Sequence, residues 1–207
     1  MKVLMINGSP HQYGCTYTAL KEVADTLNKH DIETEIIWIG TKPIAGCIAC
    51  GHCYKANRCV FNDDQVNEIH DRLSEYQGIV VGSPVYYAGP SGQLQAFLDR
   101  LFYSSGAEMS GKFGAAVVSC RRGGASAAFD RLNKYFTISN MPVVSSQYWN
   151  QVHGFTPEDV QKDGEGLQTM RTLGQNMAWL LKSVEAGRKN EVAYPEYEAA
   201  IRTHFID

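Results

Sequence analysis

No apolar run approaches the length of about 18 residues that a membrane-spanning helix requires. Blocks of like charge are missing too. The net charge is −3 and the basic residues are scattered, which excludes neither catalysis nor small ligands but makes nucleic acid and anionic membrane poor partners. Neither G-x-x-x-x-G-K-[ST] nor G-x-G-x-x-G occurs, which argues against nucleoside triphosphate hydrolysis and against a dinucleotide Rossmann site. There are no internal repeats and no low-complexity tracts. The start, MKVLMINGSP, has too short an apolar core for a secretory signal and no cleavage pattern, so the expected location is cytoplasmic. In that compartment, six cysteines, four of them clustered, point to metal or redox chemistry rather than to structural disulfides.

What the chain does contain is a repeating alternation. Apolar runs at 2–6, 34–39, 78–84 and 113–119, with a weaker fifth at 142–146, alternate with helical patterns. Thr16, Ala19, Leu20, Val23, Ala24 and Leu27 recur at helical spacing after the first run. Val66, Ile69 and Leu73 mark a second helix preceded by Asp63 and Asp64. Leu94, Phe97, Leu98 and Leu101 mark a third, and Phe129, Leu132 and Phe136 a fourth. Leu167, Met170, Leu173, Met177, Leu180, Leu181 and Val184 stripe a long last helix. Strands this uniformly apolar are buried on both faces, as in a parallel sheet between helical layers. Five of them predict a doubly wound α/β three-layer sandwich with strand order 2-1-3-4-5. Residues 1–187 read as one domain with a cysteine-rich loop at 44–60, and 188–207 as a C-terminal tail carrying Tyr194, Tyr197 and Phe205.

In such a sheet, ligands bind at the carboxyl ends of the strands where the strand order reverses. Three loops, 7–16, 83–92 and 119–126, are expected to converge there. In the first, Gly8 allows a tight turn, Ser9 and Thr16 carry hydroxyls, and the following helix offers outward N–H groups and the positive end of its dipole. That suits a phosphate, although an N-cap and turn alone would use the same residue types. The second loop, GSPVYYAGPSG, places Tyr86 and Tyr87 where an aromatic side chain can face a flat ring. The third has Gly123 and Gly124 for close approach of a planar ligand. It also has Arg121 and Arg122 to stabilise negative charge on a reduced ring or hold a nicotinamide cofactor's phosphate; a solvated basic loop is the alternative for Arg122.

INGSPHQYGCTYTAL together with GSPVYYAGPSGQLQAFLDRL resembles the flavodoxin-like NAD(P)H-dependent FMN reductase family, over most of residues 1–145. There the first motif typically reads G-S-P-R-x-x-G-x-T. The resemblance implies FMN, with its phosphate held by Ser9, His11, Cys15, Thr16 and Tyr17. It places the ring against Pro84, Val85, Tyr86 and Tyr87, assisted by Ser119, Arg121, Gly123 and Gly124. His11 stands where the family often has Arg, and Cys15 where Asn or Ser is usual; both changes weaken the expected hold on FMN.

Cys47, Cys50, Cys53 and Cys59 follow C-x2-C-x2-C-x5-C. Three thiolates spaced by two suit a tight ferredoxin-type turn, and a fourth can close the site. Structural zinc more often uses two separated C-x2-C pairs. The spacing favours a [4Fe–4S] cluster over zinc, with empty thiols or a disulfide as further alternatives. The compact motif also resembles that of iron–sulfur flavoproteins. Because the loop leaves the second strand, the expected cluster lies beside the phosphate end of the flavin, so its electrons could reach the flavin of another subunit in a homodimer or homotetramer. The striped last helix and the aromatic tail are candidate contacts for that assembly.

The expected activity is hydride transfer from NADH or NADPH to FMN, then electron transfer to a quinone, a free flavin, a metal ion or a redox protein. No acid–base catalyst is assigned; His153 and Tyr86 are the residues to test. The competing class is an electron carrier that accepts electrons from ferredoxin, which the modest charge of −3 disfavours because flavodoxins are strongly acidic. A zinc- or thiol-based redox sensor is a third reading.

Overall fold

Along each central strand, successive residues enter opposite layers, which is why the runs are apolar throughout. In the computed structural model of the chain, which describes residues 1–203, β1 (Lys2–Asn7) sends Leu4 and Ile6 into one core and Val3 and Met5 into the other. Ile79 and Val81 of β3 (Gly78–Tyr86) face the first core, and Val80 faces the second. All of these side chains are buried, each stabilising the fold by roughly 1.5–3 kcal/mol.

The first core lies under α3 (Val66–Asp71), α4 (Gly92–Ser105) and α5 (Ala125–Ile138). The second lies under α1 (Cys15–Lys29), α6 (Pro157–Lys162) and α7 (Gly164–Lys189). With β2 (Glu33–Trp38), β5 (Phe113–Cys120) and β6 (Gln151–His153), the parallel strands run in the order β2-β1-β3-β5-β6. Setting aside the two-residue β4 (Gly89–Pro90), which pairs antiparallel with β3, this is the expected 2-1-3-4-5 order and the flavodoxin-like fold.

The fifth parallel strand differs from expectation. At 142–146 only Val143 pairs with β5, through a single bridge to Gly114, and the strand proper forms at Gln151–His153. Between them the Ser146 hydroxyl lies 2.7 Å from Asn150 Oδ1 and accepts the Tyr148 N–H, so a local turn replaces the ladder. The long helix also behaves differently from one candidate role. Leu167, Met170, Leu173, Met177 and Leu181 pack into the chain's own second core, so the stripe is not a free contact face; Val184 is exposed. Beyond α7, Tyr194 lies against Gly111, with its hydroxyl 3.3 Å from Ser110 Oγ. Phe205 lies outside the described residues.

The edge remote from the strand carboxyl ends is held by charge. The Glu35 carboxylate accepts from Lys2 at 2.7 Å, Arg72 at 2.6 Å and the Tyr76 hydroxyl at 2.9 Å. The Arg72 guanidinium, with help from Lys2 and Tyr76, holds the Glu35 carboxyl down at about 2. This cluster binds β2 to the α3 side of the sheet.

Candidate functional site

The three expected loops meet at one sheet edge. The Gly8 N–H donates to the Gly82 carbonyl at 2.9 Å, the Ser91 hydroxyl donates to the Gly8 carbonyl at 2.8 Å, and Thr16 Oγ1 lies 2.8 Å from Ser119 Oγ. These contacts join loop one to loop two and the start of α1 to the end of β5. The close fit depends on Gly82, where an added Cβ would stand 2.7 Å from Leu20 and 2.9 Å from Thr16.

The first loop is stapled from inside. Asn7, fully buried at the end of β1, accepts the Ser9 N–H through Oδ1 at 3.1 Å and donates through Nδ2 to the Gln12 carbonyl at 2.9 Å. Trp38 Nε1 at the end of β2 donates to the Ser9 carbonyl at 2.7 Å. The Ser9 hydroxyl accepts the His11 N–H at 3.1 Å, which leaves its own proton to donate. Gly14 precedes α1 without a side-chain cap, and the first turn holds no acidic residue. The N–H groups of Cys15, Thr16 and Tyr17 have no partners within the helix, so the helix start presents donors and positive potential to an anion. This donor set fits a phosphate.

Each residue expected around the phosphate has a distinct place. Ser9 is buried with its proton uncommitted; His11 is exposed at the loop's rim. Thr16 and Ser119 are buried against each other; one donates, so one of the two protons remains for a further acceptor. The Cys15 thiol points to the Gly154 carbonyl at 3.7 Å, so what it brings to the loop's open side is its backbone N–H. Burial, and behind it the charges of Asp159 and Glu158, pushes the Cys15 thiol up, so it stays neutral and adds no repulsion beside an anion. Tyr17 is half-buried, its ring edge-to-face with Tyr13 at 5.1 Å.

The second loop is a hairpin that sequence reasoning read only as a rigid loop. Val85 pairs with Pro90 and Tyr86 with Gly89, and the two turn residues, Tyr87 and Ala88, have φ of 48° and 61°. A two-residue hairpin needs left-handed conformations at both turn positions and prefers Asn-Gly there. Here Tyr and Ala occupy them, so the turn is strained and Tyr87 stands fully exposed at its tip. The third loop braces this hairpin. Gly124 has φ of 91°, and a Cβ there would stand 2.8 Å from Ala88 Cα and 3.2 Å from Val85. At Gly123 a Cβ would meet nothing within 4 Å, so the backbone there is open to a neighbouring group. Pro84 and Val85 are half-buried beneath, and Arg121 and Arg122 are exposed at the rim. Of the two acid–base residues to test, His153 is engaged with Asp163, which accepts its backbone N–H at 2.6 Å, while Tyr86 is half exposed.

The four clustered cysteines line a single cavity of about 340 Å3, together with Ile48, Tyr54, Phe61 and, from α4, Arg100 and Tyr103. They are unpaired: Cys47 and Cys50 are exposed, and Cys53, on the short α2 (His52–Ala56), and Cys59 are half-buried. Among the described residues, no three His, Cys, Asp or Glu side chains converge closely enough to hold one metal ion. A four-iron cluster takes each thiolate at a different iron and so accepts a wider spread than one tetrahedral ion, whose sulfur ligands sit about 2.3 Å from a common point. The donor set and the cavity fit such a cluster.

The cavity's position departs from expectation. It sits against Asp99–Ser104, not beside the phosphate loop. At 1.5 Å per residue, those positions are roughly 10–18 Å along α4 from its start at the ligand edge. The reason is that the loop runs down the outside of α4: Gln93 holds the Gly40 and Lys42 carbonyls near the top, and Asn57 reaches Glu108 beyond the helix's far end. Sequence reasoning also missed Asn7, Ser91 and Arg100. A polar residue closing an apolar strand is a readable signal for Asn7, whereas the burial of Arg100 had none.

The fold and the paired loops define a flavin-binding class, and residues 1–156 match the NADPH-dependent FMN reductase family, to which the chain belongs. Among similar proteins, an iron–sulfur flavoprotein of Methanocaldococcus jannaschii is 34% identical over 89% of this chain and 100% of its own length. Another, from Methanosarcina thermophila, is 28% identical over 91% of this chain and 99% of its own. Of solved structures, an NAD(P)H:quinone oxidoreductase from Methanothermobacter marburgensis matches with a TM-score of 0.65 at 14% identity, covering 86% of this chain and 98% of that one, which bears on fold alone. No helix among the described residues is long and apolar enough to cross a membrane.

Proposed function

We propose that the chain is an FMN-dependent oxidoreductase that takes a hydride from NAD(P)H. It passes the electrons, through a [4Fe–4S] cluster on residues 47–59, to a quinone, a free flavin or a redox protein. The single observation that carries this reading is the junction of three loops at one sheet edge around an uncapped helix start. When bound, FMN would supply hydride acceptance and the cluster one-electron carriage.

The chain's own residues bind and orient. Ser9, with the N–H groups of Cys15, Thr16 and Tyr17, holds the phosphate; the Thr16–Ser119 pair leaves one proton for the same ligand. Pro84, Val85, Tyr86 and Tyr87 bound the ring on one side, Gly123 lets it approach the backbone of the third loop, and Gly124 braces the hairpin that carries those residues. Arg121 and Arg122 offer positive charge at the rim, where reduced ligand or the phosphates of NAD(P)H need it. Cys47, Cys50, Cys53 and Cys59 hold the cluster. The run of α4 between the two sites favours transfer to the flavin of a second copy in a homodimer or homotetramer over transfer within one chain. Ile48, Tyr54 and Tyr103, exposed around the cavity, give that contact an apolar rim.

A second reading, an electron carrier fed by ferredoxin, draws support from the relatives named iron–sulfur flavoproteins. Anaerobic mixing separates the two. The enzyme oxidises NADPH or NADH over many turnovers when a quinone is supplied. A protein inert to both nucleotides, yet reduced by ferredoxin, would overturn the proposal in favour of the carrier.

A further inference from the structure

Among the described residues Arg100 is the bulkiest fully buried side chain, yet it is a charged group and lies on no flavin loop. Its surroundings account for every donor of the guanidinium. Nε donates to Cys59 Sγ at 3.1 Å. Nη1 donates to the Ala45 carbonyl at 3.2 Å and to Asp64 Oδ2. Nη2 donates to Asp64 Oδ1 at 3.2 Å and to the Phe61 carbonyl at 3.4 Å. A guanidinium has five N–H groups, and all are used. Arg100 therefore grips the cysteine loop at both ends: Ala45 just before the first cysteine, and Cys59, Phe61 and Asp64 at and after the last.

Cys59 is fixed from a second side as well. Asn67 on α3 accepts its N–H and donates to its carbonyl, both at 3.0 Å. Backbone and sulfur of this one cysteine are thus set by α3 and α4. Cys47 and Cys50, by contrast, lie exposed on a turn where Ala49 and Gly51 have φ of 52° and 70°. The four thiols are not equivalent: Cys59 is built into the fold, Cys53 lies on the short α2, and Cys47 and Cys50 ride exposed on the loop.

We propose that Arg100 is the positioning residue of the iron–sulfur centre, holding the Cys59 sulfur as its fixed ligand and raising the centre's reduction potential. An N–H donated to a ligand sulfur, with a full positive charge behind it, stabilises the more negative, reduced state over the oxidised one. Asp64 offsets part of that charge. This inference rests on the reading of the cysteine loop as a cluster site.

The test is a redox titration of the reconstituted, FMN-loaded protein followed by electron paramagnetic resonance, with iron content and the melting temperature of the metal-free protein measured alongside. Arg100→Gln is expected to shift the reduction equilibrium at least tenfold toward the oxidised state, about 59 mV for one electron. Arg100→Lys, keeping the charge but not the planar fork, falls between. Asp64→Asn shifts the potential upward, because the guanidinium is no longer offset; it also decides the matter if the Arg100 variants fail to fold. A merely structural clasp lowers melting temperature in these variants without moving the potential. An unchanged potential in Arg100→Gln, or an unchanged or lower one in Asp64→Asn, overturns the proposal. A wild-type protein that takes up no iron and sulfide overturns the cluster reading itself, and this role for Arg100 with it.

Discussion

Replacing Ser9 and Thr16 together by alanine is expected to weaken FMN binding by about 10²–10⁴-fold while leaving the fold in place. Ser9 spends its oxygen on the His11 N–H and keeps its proton, and the Thr16–Ser119 pair has one proton to spare. Two hydrogen bonds to a dianionic phosphate contribute about 1.5–3 kcal/mol each, and their sum gives that range. Thr16→Ala also leaves Ser119 without its buried partner, which costs about 1–3 kcal/mol of stability. For a chain of 207 residues the melting temperature then falls by about 2–4 °C per kcal/mol. Fluorescence titration with FMN, beside far-ultraviolet circular dichroism, checks both halves. Undiminished flavin affinity in the double variant would remove the phosphate assignment.

Changing Cys53 and Cys59 to serine is expected to strip iron and sulfide to background and leave flavin content within about twofold of the parent. The two sites are held by different residues. The cavity hangs on α3 and α4 through Asn67 and Arg100, whereas the phosphate loop is tied to β2, β3 and α4's cap through Trp38, Gly82 and Ser91. Perturbations with no shared partner add rather than couple. Colorimetric iron and sulfide assays with a flavin count on the same sample decide it. Flavin lost in parallel with iron would mean that the cysteine loop shapes the FMN site.

The layered fold was readable because buried parallel strands are apolar on both faces: KVLMI and GIVVGSP leave little room for another assignment. Loop convergence followed from topology, and the Gly8, Gly82 and Gly124 contacts bear it out. Three things were not legible. The break in the fifth strand depends on the Ser146–Asn150 hydrogen bond, which no periodicity encodes. The hairpin at 85–90 escaped because Tyr87 and Ala88 are the wrong residues for its turn; tertiary bracing by Gly124 supplies what local propensity does not. The descent of the cysteine loop along α4 depends on Arg100, a residue that helical spacing alone marks as one more charged position.

A flavin berth built from three loops at one rim is checked by the visible absorbance of the anaerobically purified protein after incubation with FMN and removal of free ligand. Flavin bands at about one FMN per chain are expected. A protein that emerges colourless would contradict that berth.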